Sequence, residues 1–328
     1  MKAFAAQAQG LENCNFADLP EPTPQNGEVL VQLEASALNH LDLWIARGHP
    51  SYKINYPRVL GSDGAGRLNE TGERVALFSS TFCGKCDACQ RGLTSSCDVT
   101  TTLGAQRDGT HAEYIAVPKQ NAVPTTLDAK KAGSTSVAAV TAHHMLSRAD
   151  VKPGQTVLVW AAASSVGSFA VQIAKHFGCK VITTASTEKK GHAEKRFGVP
   201  VIDYKTEDVS GRVRELTQGR GVDVVVELVG PATWSASMQS VRKGGAIVTC
   251  GAVSGPEVVV PLRWLYSNQI RFIGSKQGTL DEFKQVLRWA EEGVIEPVIE
   301  STYPLSEAKK AYEQLTEGKG FGKIVLTR

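Results

Sequence analysis

Four cysteines crowd one short window, Cys83, Cys86, Cys89 and Cys97, in the spacing C-x2-C-x2-C-x7-C. Four thiolates can close a tetrahedral shell around Zn²⁺, and two-residue spacings let a tight loop turn its sulfurs inward. A closed shell leaves no open position for a substrate, so a metal held there is structural. The same donors also suit an iron–sulfur cluster. The chain has seven cysteines, an odd count, and this clustering argues against a disulfide framework.

A second stretch with chemical potential is residues 155–186, QTVLVWAAASSVGSFAVQIAKHFGCKVITTAS. Residues 156–160 are a short apolar, β-branched run and read as a buried strand. After a turn of small residues, Val166, Phe169, Ala170, Ile173 and Phe177 recur at helical spacing. Gly178 ends the helix, and residues 180–185 read as a second strand. Such a βαβ unit has the size of a dinucleotide-binding module. Ser164, Ser165, Val166 and Gly167 stand where the helix begins, so N–H groups and the positive dipole end face a pyrophosphate there. The turn departs from G-x-G-x-x-G: with Gly167 as the third glycine, Ala162 and Ser164 take the first two places. Ser164 or Ser165 can cap the helix or donate to phosphate. A buried crossover without a ligand fits the same residues equally well.

These two stretches need a scaffold. At 328 residues the chain is long enough for two domains, and its net charge of +3 is small. No basic cluster with interleaved aromatics points to nucleic acid. The first residues lack the apolar core of a signal peptide, and no apolar run approaches a membrane span. A soluble cytoplasmic protein is expected. Residues 27–35 alternate around Val29, Val31 and Leu33 after a Pro-rich lead-in, and residues 73–78 are another strand candidate. A small β-rich domain is expected up to about residue 123. A helical stretch at 129–149 then leads into the βαβ unit. Strands at 200–204 and 222–229 alternate with helices at 188–197 and 209–218. The run GGAIVTCGAVSG reads as a strand entering a Gly-rich loop that includes Gly251. Two amphipathic helices and the strand GKIVLTR follow. The fold class is α/β: a doubly wound parallel sheet inserted into, or following, a β domain.

Taken with ALNHLDLWIARG, LGSDGAG, VTAHHML and FGKIVL, the cysteine block and the AAASSVG turn resemble the medium-chain dehydrogenases/reductases. This group holds the zinc alcohol dehydrogenases and the quinone oxidoreductases. The resemblance implies a GroES-like catalytic domain at 1–122, completed by 265–328, around a Rossmann domain at 123–264. It assigns the four cysteines to a structural-zinc lobe. Between Gly66 and Gly72 the chain is several residues shorter than the usual hairpin of the group.

The resemblance also bears on a second metal. Where the alcohol dehydrogenases carry catalytic-zinc ligands, this chain has Asn39, Ser62 and Val137, none of them a suitable donor. His40 and Asp63 adjoin two of these positions; His40 reads more simply as a polar loop residue. The zinc-free quinone oxidoreductases keep Asn and Asp at the positions of Asn39 and Asp42. Asn39 is thereby implied as a donor to nicotinamide or substrate, with loop capping as its other role. Those enzymes often carry Tyr where this chain has Trp44, so Tyr52 becomes the candidate proton donor. Thr141 matches a threonine that packs against the nicotinamide. Lys323 takes the place of an arginine that reaches the pyrophosphate and pairs with the aspartate at Asp42.

Nucleotide choice is read at the end of the second strand. An NAD enzyme usually places Asp or Glu there, but this chain has Thr183, Thr184, Ala185, Ser186 and Thr187, then Glu188, Lys189 and Lys190. Hydroxyls and an ammonium suit a 2′-phosphate. The resemblance adds Lys190 and Tyr204 as positions used by NADPH-dependent relatives, so NADP(H) is expected, although Glu188 offers an NAD-type acid. The expected protein is an NADPH-dependent reductase of quinones or α,β-unsaturated carbonyls. It carries one structural Zn²⁺ and pairs as a homodimer through an edge strand at 270–275. Two other readings stay open: an alcohol dehydrogenase with non-standard zinc ligands, and a nucleotide-binding protein without turnover.

Overall fold

Parallel pairing runs through the whole sheet built on the βαβ unit. In the computed structural model, which describes residues 1–49 and 52–328, that sheet has six strands. Their order across the sheet is Val201–Asp203, Lys180–Ala185, Thr156–Val159, Val222–Glu227, Val241–Thr249 and Arg271–Gly274. Every neighbouring pair is parallel. The order reverses beside Thr156–Val159, which is the doubly wound arrangement, with its switch point at the end of that strand. The helix Ser165–His176 turns Phe169, Ala170, Ile173 and Ala174 inward, all fully buried. Burying a Phe or Ile side chain contributes roughly 1.5–3 kcal/mol, so this face anchors the helix to the sheet. Trp160 donates its indole N–H to Ser237 Oγ at 2.8 Å, which keeps a buried polar atom satisfied.

The other unit is antiparallel and β-rich. Its main sheet runs Ala122–Pro124, Arg74–Leu77, Asp63–Leu68, Glu28–Ala37, Lys323–Thr327 and Ile299–Pro304, with Tyr114–Pro118 also paired to Glu28–Ala37. Lys323–Thr327 inserts between Glu28–Ala37, antiparallel, and Ile299–Pro304, parallel. A three-stranded sheet, Cys14–Asp18, Lys2–Ala6 and Arg58–Val59, lies in the same unit. Phe4, Leu38, Leu43, Leu60, Tyr312 and Leu326 share one core cluster there. The short hairpin closes tightly: Gly72 N–H donates to Leu68 O at 2.8 Å, and Gly72 holds a φ of 71°.

Three boundaries differ from expectation. The units comprise residues 1–140 with 279–328, and residues 141–278. Residues 123–140 join the β-rich unit, because Ala122–Pro124 pairs with Arg74–Leu77 and the short helix Ala129–Ala132 packs on Glu28–Ala37. Residues 265–278 stay with the parallel sheet, because Arg271–Gly274 is its outer strand. The helical stretch at 129–149 is two helices, Ala129–Ala132 and Ser136–Arg148. No helix among the described residues is long and apolar enough to cross a membrane.

Candidate active site and metal lobe

The cysteine lobe is folded for a metal. The hairpin Ser80–Thr81 with Thr101–Thr102 closes its base, and Thr81 and Thr101 share a 2.6 Å hydroxyl contact. Cys86 caps the turn of helix Asp87–Gln90, which carries Cys89, and Cys97 follows the 3-10 turn Thr94–Ser96. The four Sγ atoms lie within 4.8 Å of one another. Backbone N–H groups of Lys85 and Cys86 pull the Cys83 thiol down to about 6, whereas burial pushes the Cys89 thiol up to about 12. A close set of four thiols, supported by backbone N–H donors such as Cys86 N to Cys83 Sγ at 3.4 Å, fits Zn²⁺.

The second cluster is built where three elements of the β-rich unit meet. Asn39 is the N-cap of helix His40–Ala46, and Asp42, in its first turn, accepts the Asn39 N–H at 2.8 Å. Asp63 opens the strand Asp63–Leu68, and Lys323 opens the strand Lys323–Thr327. Their side chains are 0% and 1% exposed and 2.7 Å apart. The Lys323 ammonium also donates to Asn39 Oδ1 at 2.7 Å and Leu38 O at 3.2 Å. An ammonium only donates, so the Asn39 oxygen must face it. The Asn39 amide nitrogen then donates to Ser62 Oγ at 3.1 Å and Asp63 Oδ2 at 3.0 Å. Asp63 Oδ1 takes the Val137 N–H at 2.7 Å.

This geometry corrects three expectations. Lys323 pairs with Asp63 rather than Asp42, and its three N–H donors are all engaged inside the protein, which leaves none for a pyrophosphate in this arrangement. Asn39 uses both of its amide hydrogens within the cluster, so in this arrangement it positions Lys323 and Asp63 instead of donating to a substrate. Nor is His40 a loop residue: it is the first residue of helix His40–Ala46. Crowding by the protein lowers its pKa, with the charges of Lys323 and Arg47 adding to the effect. The pairing of Asp63 with Lys323 spans 260 residues of sequence. Its one sequence signal was a charged residue at the head of each of two buried strands, LGSDGAG and FGKIVL.

Asp42 is left without a cation. It is fully buried, and Oδ1 has no hydrogen-bond partner. Burial pushes its carboxyl up to about 7, the Asp63 charge adds to this, and Ser62, the Asn39 N–H and Lys323 oppose it. Tyr52 is half-buried against the core cluster, and its ring meets His49 edge-on at 5.9 Å. Burial, with the Asp42 charge adding, raises its phenol above the usual value. A catalytic zinc does not fit this cluster. Asn39 and Ser62 are weak donors, Val137 offers only a backbone N–H, and Lys323 already supplies the cation. Among the described residues, the cysteine set is the one His/Cys/Asp/Glu group arranged for a metal.

The nucleotide side lies in the parallel unit. Ser164 is the cap chosen by the structure, and its Oγ accepts the Gly167 N–H at 3.0 Å. A Cβ on Gly167 would lie 2.1 Å from Ala161 O, so only glycine lets the helix approach the strand end this closely. Ser165 and Val166 complete the first helical turn. Thr184 steadies the turn by accepting the Ala161 N–H at 3.0 Å. At the end of Lys180–Ala185, Ser186 is buried and Thr187 opens the next helix. Lys190 is bound to Glu207 at 2.8 Å, and Lys205 to Glu188 at 2.9 Å. Tyr204 is exposed, and Thr141 is buried within helix Ser136–Arg148. Gly251 O accepts from Thr249 Oγ1 at 3.3 Å in the loop after Val241–Thr249. Sequence reasoning missed Glu227, a buried acid that ties down the next loop by accepting the N–H groups of Val229 and Gly230. A small-residue turn at a helix N-terminus, at the switch point of a parallel sheet, fits a dinucleotide.

Comparison with known proteins agrees with both halves. Residues 25–127 match the model of the alcohol dehydrogenase GroES-like domain, and residues 165–292 match that of the zinc-binding dehydrogenases. An NAD-dependent alcohol dehydrogenase of Sulfurisphaera tokodaii is 30% identical, covering 94% of this chain and 95% of its own. An acryloyl-coenzyme A reductase of Metallosphaera sedula is 31% identical over the full length of both. A crystal structure of an NAD-dependent alcohol dehydrogenase superposes with a TM-score of 0.94 at 34% identity, covering both chains completely. Parallel nucleotide unit, GroES-like unit, thiol lobe and relatives lead to one assignment: the chain belongs to the zinc-type medium-chain dehydrogenase/reductase superfamily, as an NAD(P)H-dependent oxidoreductase of a small-molecule substrate.

Proposed function

We propose that the protein reduces a quinone or an α,β-unsaturated carbonyl compound, enoyl thioesters included, without a metal at the reacting centre, and takes NADP(H). The observation that carries this reading is the Lys323 ammonium, buried between Asn39 and Asp63 with Ser62 and the Val137 N–H around them. Oxidising a simple alcohol requires loss of a hydroxyl proton, which a metal makes accessible near neutral pH. A conjugated acceptor spreads the incoming charge over an enolate, so fixed charges and hydrogen-bond donors can stabilise it. A bound nicotinamide supplies the hydride.

The chain's own residues do the rest. Lys323 and Asp63 hold a fixed charge pair, and Asn39 locks its position. Tyr52 keeps its proton across the working pH range and delivers it to the reduced product, with solvent as the other source. Thr141 would support the nicotinamide, as its resemblance implies. Ser164, Ser165, Val166 and Gly167 would hold the pyrophosphate, Ser186, Thr187, Lys190 and Tyr204 would hold the adenosine ribose, and Gly251 would leave room for the cofactor. Absence of an acid at residues 185–187 supports the phosphorylated nucleotide.

The name of the acryloyl-coenzyme A reductase supports the enoyl thioester, while that of the alcohol dehydrogenases favours a second reading as an alcohol dehydrogenase. Metal analysis combined with a substrate panel separates the two. About one zinc per chain is expected, with NADPH oxidised faster by a quinone, an enone or an enoyl thioester than NADP⁺ is reduced by a primary alcohol. A chelator that leaves the lobe loaded should spare the initial rate. Two zinc ions per chain with brisk, chelator-sensitive alcohol oxidation would overturn the proposal.

A further inference from the structure

Lys190 does not stand alone at the end of the second parallel strand. Its ammonium meets Glu207 Oε1 at 2.8 Å, and the same oxygen accepts the Asp203 N–H at 2.8 Å. Arg212 Nε lies 3.9 Å from the other oxygen. Glu207 is therefore tied to the backbone of the neighbouring strand end and is not a freely swinging surface acid. The Lys190 and Glu207 side chains are 33% and 30% exposed, open enough for a ligand to reach. The Lys190 bond and the Asp203 N–H hold the Glu207 carboxyl below its usual range, so it is charged at any working pH.

We propose that Glu207 is a specificity-determining residue: it competes with the ribose 2′-phosphate of NADP(H) for the Lys190 ammonium and so limits the preference for the phosphorylated nucleotide. The inference rests on reading Lys190 as the partner of that phosphate. A phosphate carries about −1.5 to −2 charges and must share or displace the carboxylate to reach the lysine. NADH has no such group and is indifferent to the contest. The measured preference is then a difference between two anions on one cation, smaller than a lysine–phosphate contact by itself would give.

Calorimetric titration with 2′,5′-ADP, 5′-AMP, NADPH and NADH tests this on wild type, Glu207→Gln, Lys190→Ala and the double variant. Glutamine keeps an oxygen for the Asp203 N–H, so the loop should stay in place, and a melting curve checks that. Glu207→Gln should tighten 2′,5′-ADP and NADPH by roughly 3–10-fold, a charge-assisted contact discounted for solvent screening. It should leave 5′-AMP and NADH unchanged, and its effect should vanish in the Lys190→Ala background. If Lys190→Ala loosens NADPH while Glu207→Gln changes nothing, the competition is refuted and the reading of Lys190 survives. If neither variant alters the ratio of the two nucleotides, both are refuted.

Discussion

Asp42→Asn is the substitution whose consequences the buried cluster specifies most closely. The aspartate is fully buried, one oxygen holds the Asn39 N–H, the other has no partner, and the nearest cation is bound to Asp63. Its carboxyl titrates at about 7 in the folded chain, against 3.8 for an unperturbed aspartate. The folded state thus retains a proton that the unfolded chain releases. Between about pH 4 and pH 7 the native form binds more protons, so the contribution of this group to stability falls as pH rises and levels off above 7. The whole span corresponds to about 4 kcal/mol, an upper limit because the cluster relaxes around the charge. Asparagine has the same shape, keeps an oxygen for the Asn39 N–H and cannot ionise. Relative to wild type, Asp42→Asn should gain about 2–4 kcal/mol at pH 8 compared with its standing at pH 4. Urea unfolding followed by tryptophan fluorescence at a series of pH values measures this. Stability profiles of wild type and variant that run parallel from pH 4 to pH 8 would refute a neutral, cation-free Asp42.

Cys86→Ser should drop zinc content well below one per chain and cost on the order of 2 kcal/mol, a fall of about 5 °C in melting temperature, while nucleotide affinity holds. Gly167→Ala places a methyl group 2.1 Å from Ala161 O, so it should destabilise the parallel unit by about 1–3 kcal/mol and weaken dinucleotide binding, read by differential scanning calorimetry and titration. A homodimer is expected through the open side of Arg271–Gly274, the outer strand of its sheet. Sedimentation at micromolar concentration should find a dimer; a wild-type monomer there would reject it.

The parallel unit was legible because its signals are local. Apolar runs of strand length, a helical repeat from Val166 and Gly178 at the end of that helix placed strands 180–185 and 222–227 to within a residue or two. The thiol lobe was legible for the same reason: its ligands sit close together in the chain. The charge cluster was not. Asp63 and Lys323 are neighbours only because Lys323–Thr327 slots beside Glu28–Ala37, and no short window carries that register. Assigning the partner of Lys323 by resemblance chose Asp42, which the geometry leaves to the backbone of Asn39. The Lys190–Glu207 contact escaped similarly, since the lysine lies on a helix and the acid in the loop beyond the following strand.

The place of Lys323–Thr327 between two strands also sets a timetable for synthesis. Asp63 leaves the ribosome 260 residues ahead of its counter-ion, a delay of roughly 10–50 s at ordinary elongation rates. Throughout that interval residues 35–37 of Glu28–Ala37 lack the strand that pairs with them, and a carboxylate bound for the interior has no lysine partner. The contiguous block 141–278 faces no such wait and can fold first. The β-rich unit can close only when its late strand arrives, so the order in which the two units can be completed follows from the position of that strand in the chain.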